Sequence, residues 1–229
     1  MRRPSRARAG GPRGAGRRLV AGLAVLLLIL ILADVAVRAW SERLVADELS
    51  SALGVSPRPD VSLGGFPFLL HVASGHLPSA SVSTASLTTK GVRLEDVRLT
   101  LRDVTFSTGQ LLARRGGDIV ARGGDGTAAM SGADATAALR ANGIPASVGF
   151  RGGRAHVRST EVPGEVTAKV SLQGGSLVLR PTGLPVPVSF SFRLPQVVPG
   201  LRYRSVTVAG GTLVLTFSLS DARFVIPAS

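Results

Sequence analysis

Few residues in this sequence have the types and spacing that catalysis requires. The histidines are His71, His76 and His156, and the first two, five positions apart, supply at most half of a metal site. Glu95 and Asp96 are adjacent on a predicted strand, so their carboxylates point to opposite faces and cannot act on one substrate. The sequence has no HExxH, GxSxG or Walker motif and no cysteine. We therefore predict a protein that is not an enzyme and that holds no metal and no cofactor.

A glycine-rich segment, Gly123-Gly124-Asp125-Gly126, superficially resembles a phosphate-binding loop. It lacks the lysine and the following helix that such a loop needs. Glycine and aspartate together are typical of tight turns. We therefore predict a hairpin turn at this position.

The longest apolar stretch runs from Leu19 to Val37 and contains one charge, Asp34, near its end. As a helix it would reach roughly 28 Å, close to the hydrocarbon thickness of a bilayer. Seven arginines and no acidic residue precede it, and arginine-rich flanks stay in the cytoplasm. The sequence predicts a disordered basic cytoplasmic tail over 1–18, a single helix across the cytoplasmic membrane over 19–37, and an extracytoplasmic domain over 38–229.

The sequence leaves open whether this apolar helix is retained. Its uninterrupted core, Leu19 to Ala33, is short for a membrane span and long for the apolar region of a signal peptide. Val37-Arg38-Ala39 has the small residues of a cleavage site. We favour a retained anchor, and export with cleavage is the alternative.

The formal net charge of +13 is concentrated in the tail. Removing the seven arginines of the tail from the 27 basic residues leaves 20 against 14 acidic residues, or +6. About half of the net positive charge thus lies in the tail, where it indicates the orientation of the helix in the membrane. We expect the remaining excess, nearly all arginine, to meet the membrane and its anionic phospholipid headgroups and not nucleic acid.

Periodicity predicts the elements that follow the apolar run. Trp40 to Leu53 is amphipathic at helical spacing and is followed by Gly54, which predicts a helix that continues out of the membrane. From about Leu77 the pattern is typical of β-strands, and in 97–106 the apolar alternation shifts by one residue at Asp103, as a β-bulge would cause. This periodicity over most of the chain favours a mainly β fold.

Three further segments have recognisable patterns. An alanine-rich segment between Gly132 and Gly143 predicts a short helix. Residues 170–179 and 206–215 are each predicted to form a hairpin with a Gly-Gly turn, and this similarity has its simplest explanation in a shared turn geometry. The segment Phe66-Pro67-Phe68-Leu69-Leu70 places four large apolar residues in five positions directly after Gly64-Gly65.

The order of these segments resembles the LmeA family, which comprises phospholipid-binding proteins of the actinobacterial cell envelope. The resemblance runs from about residue 40 to 224 and is strongest in Asp60-Val-Ser-Leu-Gly-Gly-Phe-Pro-Phe-Leu-Leu70. The later stretch is similar to the C-terminal end of that family through Arg193-Leu-Pro195, Pro199-Gly-Leu201, Ser205–Val208 and Gly210–Leu215.

The resemblance implies an elongated antiparallel β-structure wrapped around helix, similar to the tubular, BPI-like lipid-binding domains. It also implies an apolar cavity for phospholipid chains and a role in envelope lipid or lipoglycan handling. In such a fold, the residues that line or gate the cavity would be Phe66, Phe68, Leu69, Leu70, Val97, Leu99 and Leu101.

Arginine suits a lipid phosphate because its guanidinium can donate two parallel hydrogen bonds. The candidates for headgroup binding, at strand positions that alternate with apolar ones, are Arg98, Arg102, Arg202 and Arg204. These arginines have a simpler alternative role as solvent-facing strand residues. The alternative function is a non-catalytic envelope scaffold with a closed core.

Overall fold

The computed structural model describes residues 13–89, 92–112, 117–141, 143–159, 164–182, 189–194, 196 and 198–226. Most of the predicted disordered tail, residues 1–12, lies outside the described residues. The elements are α1 (Arg13–Leu53), β1 (Asp60–Leu63), α2 (Phe68–Ser74), β2 (His76–Thr89), β3 (Val92–Phe106), α3 (Thr108–Leu112), β4 (Gly117–Ser131), α4 (Gly132–Ala141), β5 (Ala146–Arg151), β6 (Arg154–Ser159), β7 (Glu165–Gln173), β8 (Ser176–Pro181), β9 (Phe190–Arg193), β10 (Leu201–Ala209) and β11 (Thr212–Ile226).

Helix α1 joins the predicted apolar span and the predicted amphipathic helix in one run of 41 residues. It ends where predicted, because Gly54 adopts the left-handed conformation that terminates helices, with φ 61°. Side chains 23–33 are all exposed, and the first that the domain buries is Asp34. By length and hydropathy, α1 is the one membrane-span candidate in the described part of the chain, and a signal sequence has the same properties.

The strands form two antiparallel sheets, so the predicted mainly β fold is confirmed. Sheet A has the order β1-β2-β3-β4-β11-β10, and sheet B is the meander β5-β6-β7-β8-β9. Both orders are linear, which means that neither sheet closes into a barrel within the described residues. The two predicted Gly-Gly hairpins are confirmed as β7-β8 and β10-β11, with left-handed glycines at both turn positions.

The prediction for the glycine-rich segment was wrong. Gly123 to Gly126 lies in the middle of β4 and pairs with β3 on one side and β11 on the other. Gly126 is needed there because a Cβ at this position would overlap the ring of Phe217. The close approach of a neighbouring side chain, and not a turn, accounts for glycine at this position.

The shift of apolar alternation at Asp103 is confirmed, but its predicted cause is not. Asp103 has a left-handed φ of 50°, and the residues on either side of it keep equal spacing with their partners on β4. Asp221 of β11 repeats this conformation with φ 47° in the neighbouring ladder. In both strands the side chains therefore switch faces at the same level of the sheet. This keeps Leu101 and Val104 in the same core although they are three residues apart.

Apolar residues pack on one face of sheet A, here called the inner face. The second half of α1 and α2 cover it near β1, where Ala46 and Phe68 join a core with Val61, Leu77 and Val104. Sheet B and the predicted short helix, confirmed as α4, pack at the end of β10 and β11 through a core of Phe150, Ala155 and Leu213 with partly buried neighbours that include Ala135 of α4. The helices α1 and α2 thus cover one end of the inner face, and sheet B with α4 covers the other end.

Candidate functional site

Three polar residues of α1, spaced four apart, hold the chain from β1 to α2 against the helix. Glu42 accepts a 2.9 Å hydrogen bond from the backbone N–H of Leu63, and Arg38 donates to Ser62 at 3.4 Å. Asp34 accepts from the backbone N–H of Phe68 at 2.9 Å. Residues four apart share one helix face. We call Asp34, Arg38 and Glu42 the docking stripe, because together they attach the β-rich domain to α1.

The carboxylate of Asp34 caps α2. Its two oxygens accept hydrogen bonds from the first backbone N–H groups of α2, those of Phe68 at 2.9 Å and Leu69 at 2.8 Å. These N–H groups have no partner within the helix, and a negative charge is favourable at a helix N-terminus. Asp34, the only charge in the predicted span, is therefore a buried structural residue that is 5% exposed.

The structure separates the four apolar residues of the Phe66–Leu70 cluster. Phe68 is 1% exposed and belongs to the core beneath α2. Phe66, Leu69 and Leu70 point outward and are 66%, 41% and 66% exposed. Their predicted role in lining or gating a cavity stays a prediction, but only Phe68 faces the core of the domain.

The other predicted lipid-contacting residues lie on one strand. Val97, Leu99 and Leu101 share the inner face of β3 and are half-buried. Leu101 is common to the core under α1 and to a second core with Leu201 and Leu219, so the apolar surface is continuous across sheet A. One cross-strand row spans all six strands of the sheet through Leu63, Ala80, Leu101, Gly124, Leu219 and Leu201.

The four predicted headgroup arginines lie on the outer face of sheet A, opposite the apolar residues. Arg98 and Arg102 alternate with Leu99 and Leu101, and all four arginines are exposed. Two of them have structural partners, because Arg102 pairs with Asp125 at 2.6 Å and Arg204, at a register shift in β10, donates to Ser218 at 2.8 Å. The structure therefore does not bring the arginines and the apolar strand residues together on one face.

Arg202 nevertheless has apolar residues beside it, because the edge strand β10 borders a pocket of about 610 Å³ that Arg202 and Leu201 both line. The pocket lies between β10 and the β7-β8 turn, and its lining includes Arg193, Leu194, Leu201 and Tyr203. Burial raises the pKa of Tyr203 above its ordinary value. Two guanidinium groups beside apolar walls match the chemistry of a lipid phosphate, and the sequence did not single out Arg193 for this role.

A separate polar cluster lies on sheet B. Glu165 meets Arg151 and His156 at 2.7 Å each and Arg158 at 3.3 Å. Hydrogen bonds from His156 and Arg151 lower the pKa of Glu165 below its ordinary value of 4.5. Throughout the described residues, no group of three or more His, Asp or Glu side chains is arranged to hold a metal ion.

Sequence reasoning missed helix α2 and the docking stripe on α1. The signal for the stripe was present, since Asp34, Arg38 and Glu42 recur every four residues along a predicted helix. The predicted membrane span over 19–37 includes Asp34, and a span has no partner within the domain. The partner of each of these residues lies at least 20 positions away in the chain, beyond the reach of periodicity.

The fold and the site define an open two-sheet β protein whose apolar sheet face adjoins a long, largely exposed apolar helix. A family model described as LmeA-like phospholipid-binding matches residues 32–218. The chain therefore belongs to the LmeA-like phospholipid-binding family. Searches of curated proteins and of solved structures found no match.

Proposed function

We propose that the protein is a non-catalytic, single-pass membrane protein that binds phospholipid outside the cytoplasmic membrane and serves in envelope lipid or lipoglycan handling. The observation that carries this proposal is the continuous apolar inner face of sheet A in a chain of a phospholipid-binding family. Burying a lipid chain gains about 0.8 kcal/mol per CH₂ group. The acyl chains therefore supply most of the affinity, and the headgroup supplies the preference.

We place the acyl chains along Val97, Leu99 and Leu101, because these residues are apolar, half-buried and on the same face. We place the phosphate at the pocket that Arg193 and Arg202 line, at the edge of the same sheet. Within the described residues, neither of these two arginines has an ion pair, so both are available to an anionic headgroup.

Photo-crosslinking tests where the lipid chains lie. The full-length protein is reconstituted into vesicles that contain a phospholipid with a diazirine at the end of one acyl chain, and the labelled residues are mapped by mass spectrometry after irradiation. We expect labels on Leu99 and Leu101 in addition to α1, and none on Thr100, which points to the outer face and is the internal control. Labels confined to α1 and α2 would support the closed-core scaffold instead.

The docking stripe supports a retained anchor. Cleavage after Ala39 would remove Asp34 and Arg38, leaving the N-terminus of α2 without its cap. The family match also begins at residue 32, within the segment that cleavage would remove. The intact mass of the membrane-extracted protein tests this proposal, because a retained anchor gives the full 23.6 kDa and cleavage gives a product shorter by 39 residues.

Single-cysteine labelling tests the proposed orientation, because the natural chain contains no cysteine. Ser205 is exposed on the outer domain, and Ser5 belongs to the basic tail. An impermeant maleimide should label Ser205→Cys in cells whose outer envelope is opened, and Ser5→Cys only after the cytoplasmic membrane is permeabilised. The reverse pattern would place the domain in the cytoplasm and contradict the proposal.

A further inference from the structure

The outward side of α2 carries an exposed apolar surface that the binding of lipid in sheet A does not use. We call Phe66, Leu69 and Leu70 the α2 tip. Their exposed fractions of 66%, 41% and 66% are high for large apolar side chains on a folded domain. No residue between Gly64 and Leu70 is charged. This surface therefore needs an apolar environment outside the domain.

The docking stripe fixes the position of the α2 tip along α1. Leu63 is bound at the level of Glu42, whereas Phe68 and Leu69 are bound at the level of Asp34. Eight residues of helix correspond to about 12 Å of rise. Between β1 and α2 the chain thus descends along α1 toward its exposed apolar half, which places the tip where the domain meets the apolar span.

The length of the apolar run indicates what surrounds the tip. Its uninterrupted part, Leu19 to Ala33, would reach roughly 22 Å as a helix, which is short of the ~30 Å hydrocarbon core. Beyond it, the side chains of Val35 and Val37 are exposed, and α2 covers the carboxylate of Asp34. Lipid at the level of Asp34 would meet apolar side chains of both helices and not the carboxylate.

We propose that the α2 tip inserts into the outer leaflet of the same bilayer that α1 spans, near the boundary between headgroups and acyl chains. This inference rests on the proposed membrane anchor. The tip is held at the level of Asp34, where the exposed apolar part of α1 ends, which favours lipid over a protein partner as its occupant. Two adjoining insertions would hold the domain in one orientation, with the inner face of sheet A close to the lipid source.

Tryptophan fluorescence tests the insertion in the full-length protein. The chain has a single tryptophan, so Trp40→Phe provides a silent background for Leu70→Trp at the tip. Leu27→Trp, in the exposed apolar half of α1, reports on the anchor, and Ile144→Trp, an exposed apolar residue that follows α4, is the matched control. Each variant is reconstituted into phosphatidylglycerol–phosphatidylcholine vesicles, with or without bromine on the acyl chains, and its thermal unfolding is compared with that of the background.

We expect brominated lipid to quench Leu27→Trp and Leu70→Trp at least twofold, and acrylamide to quench Ile144→Trp several-fold more than either. Quenching of Leu70→Trp by acrylamide to the level of Ile144→Trp would overturn the insertion while leaving the anchor intact. Protection of Leu70→Trp from both quenchers would also overturn it, because protein would then cover the tip. If Leu27→Trp is not quenched by brominated lipid, the anchor itself fails and the inference fails with it.

Discussion

The backbone N–H of Phe68 donates a 2.9 Å hydrogen bond to the carboxylate of Asp34, 34 residues earlier in the chain. This contact gives the only charge in the apolar run a structural role. A charge inside a bilayer is costly, whereas a buried carboxylate that caps a helix is satisfied by the N–H groups it accepts from. Asp34 therefore marks the point where α1 ceases to be an independent helix and becomes part of the domain.

Replacing Asp34 by Asn should weaken the attachment of α2. The amide keeps one acceptor oxygen but loses the charge, and one N–H is left without a partner, which costs about 1–3 kcal/mol. Hydrogen exchange of the Phe68 and Leu69 amides in the full-length protein should accelerate about tenfold or more. Asp60→Asn, at an exposed position on β1, is the control. Equal exchange in both variants would show that the cap contributes nothing.

Gly126→Ala should destabilise sheet A. Its Cβ would overlap the ring of Phe217 and lie 2.8 Å from the carbonyl oxygen of Arg98, and such overpacking costs about 1–3 kcal/mol. Gly123→Ala is the matched control, because the atoms nearest to its Cβ lie 3.9 Å away. Thermal unfolding should separate the two variants, and Phe217→Leu should restore part of the stability lost in Gly126→Ala. Equal unfolding temperatures for both alanine variants would contradict the tight contact.

Arg202→Ala should alter the preference between lipid headgroups more than it alters the total amount of lipid bound. Losing one charge-assisted contact at an exposed pocket should reduce the preference for anionic over zwitterionic phospholipid by roughly 3- to 10-fold. Arg202→Lys keeps the charge but not the two-pronged geometry, so it should restore the preference only in part. Arg98→Ala, on the outer face of β3, is the control. The measurement is competition between the two lipid classes for the full-length protein, and an unchanged preference in Arg202→Ala would remove Arg202 from the headgroup site.

Glu165 should make a small pH-dependent contribution to stability. Hydrogen bonds from His156 and Arg151 hold the pKa of Glu165 below 4.5 in the folded protein. A lowered folded-state pKa gives stability that is present above the unfolded-state pKa and is lost as the pH falls through the folded-state pKa. Glu165→Gln should therefore unfold at a lower temperature than the natural protein at pH 7, and this difference should shrink as the pH falls below 4.5 and through the lowered pKa of Glu165.

The control for this prediction is Glu48→Gln, which changes an exposed glutamate of α1 that has no ion pair among the described residues. It should show no difference from the natural protein anywhere in this pH range. A difference for Glu165→Gln that stays the same from pH 7 to the acid side of 4.5 would mean that its effect comes from packing and not from its charge.

Local patterns in the sequence determined most of the elements. Alternation in 97–106 predicted β3, because a strand with one buried face must repeat every two residues. The paired glycines at 174–175 and 210–211 predicted both hairpin turns, because these positions need a left-handed φ. The apolar run predicted a helix over the same residues, because length and hydropathy are properties of a single segment.

Tertiary structure alone decided how these elements combine. Gly123 to Gly126 has the composition of a turn, yet it forms the middle of β4 because it pairs with a strand on each side, and these neighbours leave no room for a Cβ at Gly124 or Gly126. The arginines and the apolar residues of β3 lie on opposite faces, as alternation along one strand requires. Arg193 and Arg202, in contrast, line one pocket only because the two sheets pack together. Asp34 and α2 meet only because the chain returns to α1 after β1, and a contact between distant residues leaves no period in the sequence.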